Sequence, residues 1–203
     1  MRLFVAVAPP PAALDHLAAA LAETRGGTAS GDPLRWIPPE RWHLTLVFLG
    51  EVDDARVDRL AAALVPVAAA RPPLALSLRG SGAFPGVLWI GLAGDVDGLG
   101  GLARATRRAV RSAGVAVERR AYRPHLTVAR SRQPAALELR DARDRLGPYA
   151  GPAFTVDALR LIRSYPGPQP RYEEVASWPL GGPTSPISPV SPVSPVSPEE
   201  PPR

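Results

Sequence analysis

His43-Leu44-Thr45-Leu46 and His125-Leu126-Thr127-Val128 repeat one pattern, a histidine and a threonine two residues apart in an apolar run. The first run extends from His43 to Leu49 between Pro38-Pro39 and Gly50, and the second from His125 to Ala129 just after Pro124. Their composition and punctuation predict strands. Side chains alternate across a strand, so His43 and Thr45 share one face and His125 and Thr127 share another. Leu44 and Leu126 then point into the core. A single His-x-Thr on a strand is common and means little. Two copies at matching places in a chain with three histidines carry far more weight. The third, His16, falls off the apolar face of its helix and reads as a surface residue.

Outward from these runs the chain says nearly the same thing twice. The first half begins with a strand-like stretch, Leu3 to Ala8. A helix follows with Leu14, Leu17, Ala18 and Leu21 on one face. After the His43 strand comes a helix with Val57, Leu60, Ala61 and Leu64 inward, then a strand from Leu74 to Leu78. The second half repeats the order. Val87 to Leu92 is a strand, and a helix from about Val96 turns Leu99, Leu102, Ala103, Thr106 and Val110 inward. The His125 strand follows, then a helix beginning near Pro134 and a strand from Phe154 to Ile162. His43 lies 40 residues beyond Leu3, and His125 lies 38 beyond Val87. The expected fold is α+β: a duplicated bilobal unit with halves about 1–82 and 83–180, two antiparallel sheets facing a central cleft, and helices outside.

Residues 181–203 stand apart. Proline recurs at every third position from Pro183 to Pro198 in a Ser/Pro-rich repeat, which predicts an extended, disordered tail. The folded domain is therefore expected over 1–180. The chain has no Cys, which removes disulfides, thiolate chemistry and cysteine-ligated metals. It has no apolar run long enough to span a bilayer, and its opening is too short and too soon broken by proline for a signal peptide. A soluble, cytoplasmic monomer is expected. The formal charge is +5, and all 24 basic residues are Arg. Arginine suits phosphate, but a GC-rich genome yields the same bias, so charge alone decides nothing.

The paired motif suits in-line phosphoryl transfer. One group must take a proton from the attacking oxygen and another must give one to the leaving oxygen, and histidine serves either role near neutral pH. Thr45 and Thr127 can donate hydrogen bonds to non-bridging oxygens. A ring-strained 2′,3′-cyclic phosphate needs no metal for this chemistry, and no cofactor is expected. Alternation from His125 points Arg130 away from the cleft; if the strand ends or twists there, its guanidinium reaches the phosphate. Arg104, Arg107, Arg108 and Arg111 form a helical stripe that could track RNA, although a solvated face explains it as well. Phe48, Trp42 and Trp36 could stack bases, with core packing the default for each.

The sequence resembles the two-histidine (2H) phosphoesterase superfamily, in particular the RNA 2′,3′-cyclic phosphodiesterases also called 2′-5′ RNA ligases. The similarity runs over nearly all of residues 1–180. It includes Met1-Arg2-Leu3-Phe4-Val5-Ala6-Val7, Arg35-Trp36, the stretch Trp42-His43-Leu44-Thr45-Leu46-Val47-Phe48-Leu49-Gly50, and Tyr122-Arg123-Pro124-His125-Leu126-Thr127-Val128-Ala129-Arg130. The resemblance implies hydrolysis of RNA ends bearing a 2′,3′-cyclic phosphate to a 2′-phosphate, with His43 as proton donor and His125 as proton acceptor. The nearly symmetric motifs do not by themselves say which histidine does which. Reversed, the same pair would join a cyclic-phosphate end to a 5′-hydroxyl.

Three other readings stand beside this one. A metal hydrolase lacks a third ligand and any carboxylate at ligand spacing near either motif. A non-catalytic RNA-binding module explains the charge but not the paired histidines. An enzyme of the same mechanism acting on a small cyclic nucleotide is the nearest rival.

Overall fold

Two antiparallel sheets carry the histidine strands, one each. In this computed structural model the described residues are 1–25, 34–118, 121–131, 136–167 and 170–182. In chain order the elements are β1 (Arg2–Val7), α1 (Pro11–Arg25), β2 (Leu34–Trp36), β3 (Leu44–Glu51), α2 (Val57–Ala69), β4 (Leu74–Phe84) and β5 (Val87–Gly94). These are followed by α3 (Val96–Ser112), β6 (Leu126–Ser131), α4 (Ala136–Leu146), β7 (Ala150–Val156), β8 (Ala158–Tyr165) and β9 (Arg171–Pro179). One sheet has the order β3-β1-β8-β9 and the other β2-β6-β5-β4-β7. The expected α+β bilobal architecture is what the chain adopts.

The helices follow their apolar faces. In α3, Leu99, Leu102, Ala103, Thr106 and Val110 are all buried, and Asp95 caps the N-terminus by accepting a 2.8 Å bond from the Gly98 N–H. Leu17 and Leu21 of α1 and Leu60 and Leu64 of α2 are buried in the same way. Leu44 and Leu126, both 0% exposed, lie in the core behind the two motifs. The core therefore anchors each histidine strand through the residue between its His and its Thr.

Each sheet draws on both halves of the chain. The first has β1 and β3 from the beginning and β8 and β9 from the end; the second holds β4 beside β5. Helices cross too: α1 packs on β7 and β4, while α3 packs on β3 and α2. The repeat midpoint at 82/83 falls inside β4, just ahead of the turn at Pro85-Gly86. The first half thus gives β2 and β4 to the second sheet, the second half gives β8 and β9 to the first, and each also lends the other a helix.

One expectation needs correction. Phe154 to Ile162 is not one strand. The chain breaks at Asp157, and β7 joins the second sheet while β8 joins the first. An unbroken apolar run gives no sign of a change of sheet, since both pieces bury Leu or Val on one side. The short β2 and the polar β9 were not foreseen, because neither has a continuous apolar pattern. The helix start near Pro134 and all of the expected 181–203 tail beyond Gly182 lie outside the described residues, while Gly181 still donates its N–H to the Ala68 carbonyl at 3.1 Å.

Thr106 is fully buried, and its hydroxyl has no hydrogen-bond partner among the described residues. A buried hydroxyl without a partner costs about 1–3 kcal/mol. Thr106→Val, which keeps the shape and removes the oxygen, should therefore raise the unfolding midpoint in urea. A variant less stable than the parent would show that the hydroxyl is satisfied.

Candidate active site

Both histidine strands carry an extra residue just after the threonine, relative to the strand beside them, and β3 carries a second between Phe48 and Gly50. Thr45 pairs with Ala6 but Val47 with Val5, and Thr127 pairs with Trp89 but Ala129 with Leu88. The bulge makes two successive residues point inward: Leu46 and Val47 are buried in β3, Val128 and Ala129 in β6. Alternation then resumes with its parity reversed. Phe48, opposite Phe4, and Arg130, opposite Val87, therefore return to the face that carries the histidine and threonine. This corrects the strict-alternation reading of Arg130. Its positive charge is near enough to bear on His43. It also corrects core packing as the default for Phe48, which is 66% exposed. Trp42 does follow that default, with its indole N–H donating 2.9 Å to the Ile37 carbonyl.

The two imidazoles are held alike. Nδ1 of His43 lies 2.9 Å from the Arg41 carbonyl oxygen, and Nδ1 of His125 lies 2.7 Å from that of Arg123. A carbonyl only accepts, so Nδ1 carries the proton in each ring and Nε2 is left to exchange one with a ligand. In both cases the anchor is the carbonyl two residues earlier, just before the strand begins.

Their surroundings differ. His43 stacks on Phe4 with ring centroids 4.7 Å apart and meets the edge of Tyr172 at 5.2 Å. The Arg41 guanidinium lies 5.3 Å from the Tyr172 ring centre. His125 is more open, meeting Phe84 edge-on at 5.2 Å and Trp89 at 6.2 Å. Burial, together with the positive charges of Arg41, His125 and Arg130, lowers His43 to about 4, against a weaker upward pull from its bond to the Arg41 carbonyl. Its ring is neutral at pH 7. Thr45 and Thr127 are partly exposed beside their histidines. His16 is exposed and pairs with the Tyr149 hydroxyl at 3.1 Å, away from this site. Sequence reasoning missed Tyr172, which comes from the unforeseen β9, and the packing roles of Phe4, Phe84 and Trp89.

Among the described residues no three His, Cys, Asp or Glu side chains cluster as metal ligands. No helix among them is long and apolar enough to cross a membrane.

A family model described as the 2′-5′ RNA ligase superfamily matches residues 9–168. The chain belongs to this superfamily. A superfamily relative from Geobacillus stearothermophilus named RNA 2′,3′-cyclic phosphodiesterase is 34% identical over 169 residues, covering 80% of this chain and 53% of its own length. A protein of the same name from Thermus thermophilus is 30% identical, covering 90% of this chain and 91% of that one. The chain thus spans about half the length of the Geobacillus relative and most of the Thermus one. A crystal structure of a Thermus thermophilus protein superposes with a TM-score of 0.71 at 28% identity, covering 90% of this chain and 99% of that one. Escherichia coli LigT complexed with 3′-AMP shares the fold, with a TM-score of 0.68 at 24% identity over 88% of this chain and 97% of LigT.

The depressed His43 has a thermodynamic consequence. The unfolded chain takes up this proton near 6.5 and the folded protein only near 4, so between these values the unfolded state binds more protons. Stability therefore falls as pH drops from about 6.5 towards 4. His43→Gln cannot titrate and should lose less stability over that interval, as denaturant melts at pH 7 and pH 4.5 would read. Parallel losses in both proteins would mean that the imidazole keeps its ordinary affinity.

Proposed function

We propose that this protein hydrolyses RNA ends bearing a 2′,3′-cyclic phosphate to a 2′-phosphate, by acid–base catalysis between His43 and His125. The observation that carries this reading is the matched anchoring of two imidazoles, each bonded through Nδ1 so that Nε2 is left to a ligand. The names of the relatives support the substrate class. Residues 1–180 are the catalytic domain, acting as a monomer and without a cofactor, and the Ser/Pro tail is dispensable to it.

His125 takes a proton from water as the water oxygen bonds to phosphorus. The bond from phosphorus to the 3′ oxygen breaks, and that oxygen takes the proton held by His43 Nε2. Each ring then returns to its starting state by exchange with solvent. Because His43 is neutral in the free protein, through burial first and the charges of Arg41 and Arg130 after it, its proton enters with the substrate, whose phosphate charge favours the protonated ring. Thr45 and Thr127 donate to the non-bridging oxygens, and Arg130 pairs with the phosphate from the second lobe. In the reverse direction the same groups would form a 2′-5′ linkage to a 5′-hydroxyl.

His43→Ala and His125→Ala should each lower turnover of a cyclic-phosphate-ended oligonucleotide by about 10²- to 10⁴-fold, in EDTA as without it. Replacing the departing 3′ oxygen by sulfur gives a leaving group that needs no proton. That substrate should restore His43→Ala and leave His125→Ala slow; the opposite pattern would exchange the two roles. Substantial turnover by either variant on the natural substrate would overturn the mechanism.

Phe48 and Arg130 should separate kinetically. Arg130→Gln should lower kcat with the loss of a charged phosphate contact. Phe48→Ala should raise KM by about 5- to 150-fold, the range for one base–aromatic stack of about 1–3 kcal/mol. An unchanged KM for Phe48→Ala would show that its ring bears no base.

A further inference from the structure

A cavity of about 390 Å³ opens between the first half of α3 and the segment that leads into β6. Among its walls are Asp97, Gly100, Arg104, Arg107, Tyr122 and Pro124. Pro124 directly precedes His125, so the cavity adjoins the catalytic strand without being part of the imidazole site. The Tyr122 hydroxyl is buried and has no hydrogen-bond partner among the described residues, and Arg107 Nε is in the same position. Neither Arg104 nor Arg107 forms an ion pair with a described carboxylate. Arg108 and Arg111, both exposed, extend the positive surface along α3.

Unsatisfied donors in a cavity are costly unless something accepts from them. Here Arg104, Arg107 and Tyr122 line one space, and burial raises the pKa of the Tyr122 phenol, which keeps it protonated and able to donate. Donors without acceptors, and two cations against the single carboxylate of Asp97, call for an anion with several oxygens. The volume lies within the range of small-ligand sites. We propose that this cavity binds a backbone phosphate of the RNA upstream of the reacting end, held by Arg104, Arg107 and the Tyr122 hydroxyl. This rests on the phosphodiesterase reading and deepens it: the enzyme distinguishes a polynucleotide end from a cyclic mononucleotide through a second anion site.

The test compares a 2′,3′-cyclic mononucleotide with an octanucleotide ending in the same group, using wild type, Tyr122→Phe and the double variant Arg104→Gln/Arg107→Gln. With the mononucleotide, kcat/KM should stay within about twofold of wild type for both variants. With the octanucleotide, KM should rise about tenfold in the double variant, and the salt dependence of log KM should lose one to two units of slope. Tyr122→Phe removes only an unpartnered oxygen, so it should fold at least as well as wild type while raising the octanucleotide KM severalfold. Equal losses on both substrates, or none on either, would overturn the proposal. Inorganic phosphate that stabilises wild type in a thermal melt as strongly as the octanucleotide does, and fails to stabilise Tyr122→Phe, would make the site one for free phosphate and overturn its assignment to RNA. Binding of a non-reactive 3′-phosphorylated octanucleotide, followed by fluorescence anisotropy, needs no turnover. It therefore reads the cavity even if the catalytic reading fails.

Discussion

The extra residue that follows the threonine in each histidine strand governs what the cleft can offer. Without the bulge after Thr45 and after Thr127, Phe48 and Arg130 would point into helix-packed layers, where neither an exposed ring nor a guanidinium fits. With it, both side chains return to the cleft, and two apolar neighbours in succession pin each strand to the core. The imidazoles need no such correction, because they precede the bulge and are fixed by a carbonyl two residues earlier. Each strand therefore holds an anchored imidazole at its start and a side chain of different character beyond the bulge.

The two lobes share this device and fill it differently. Phe48 and Arg130 occupy equivalent places, one suited to a base and the other to a phosphate. The floor is also exchanged. Ala6 of β1, opposite Thr45, has Arg160 on its other side, whereas Trp89 of β5, opposite Thr127, has Gly82. A small residue beside a large one has become a large one beside a small one. A Cβ at Gly82 would come within 2.0 Å of the Trp89 ring, so the indole that neighbours His125 depends on that glycine. Such differences turn a near-symmetric frame into a cleft with a direction.

Much of this was legible in the residues. The two His-x-Thr runs, the helical faces of α1, α2 and α3, and the order of strands followed from periodicity, because burial on one face imposes it. The bulges were not legible, since Leu-Val-Phe and Val-Ala-Arg read as ordinary strand continuations and only a neighbour's register reveals the extra residue. The change of sheet at Asp157 was hidden for a similar reason, as pairing partners rather than composition decide it. Tyr172 lies in β9, whose Tyr-Glu-Glu-Val run has too little apolar pattern to mark a strand. The site was thus readable where chemistry depends on residue type and unreadable where it depends on long-range register.

The exchange of strands between the lobes bears on how the chain reaches this state. In the first sheet Ala6 pairs with Arg160, so the strand beside the His43 strand gains its second neighbour only when the C-terminal part of the chain arrives. Closing so long a loop is entropically costly before any contact repays it. Neither half can complete a sheet alone, which makes the molecule a single cooperative unit despite its internal repeat. The repeat is therefore legible along the chain yet not separable in space, since cutting between the halves would strip two strands from each sheet.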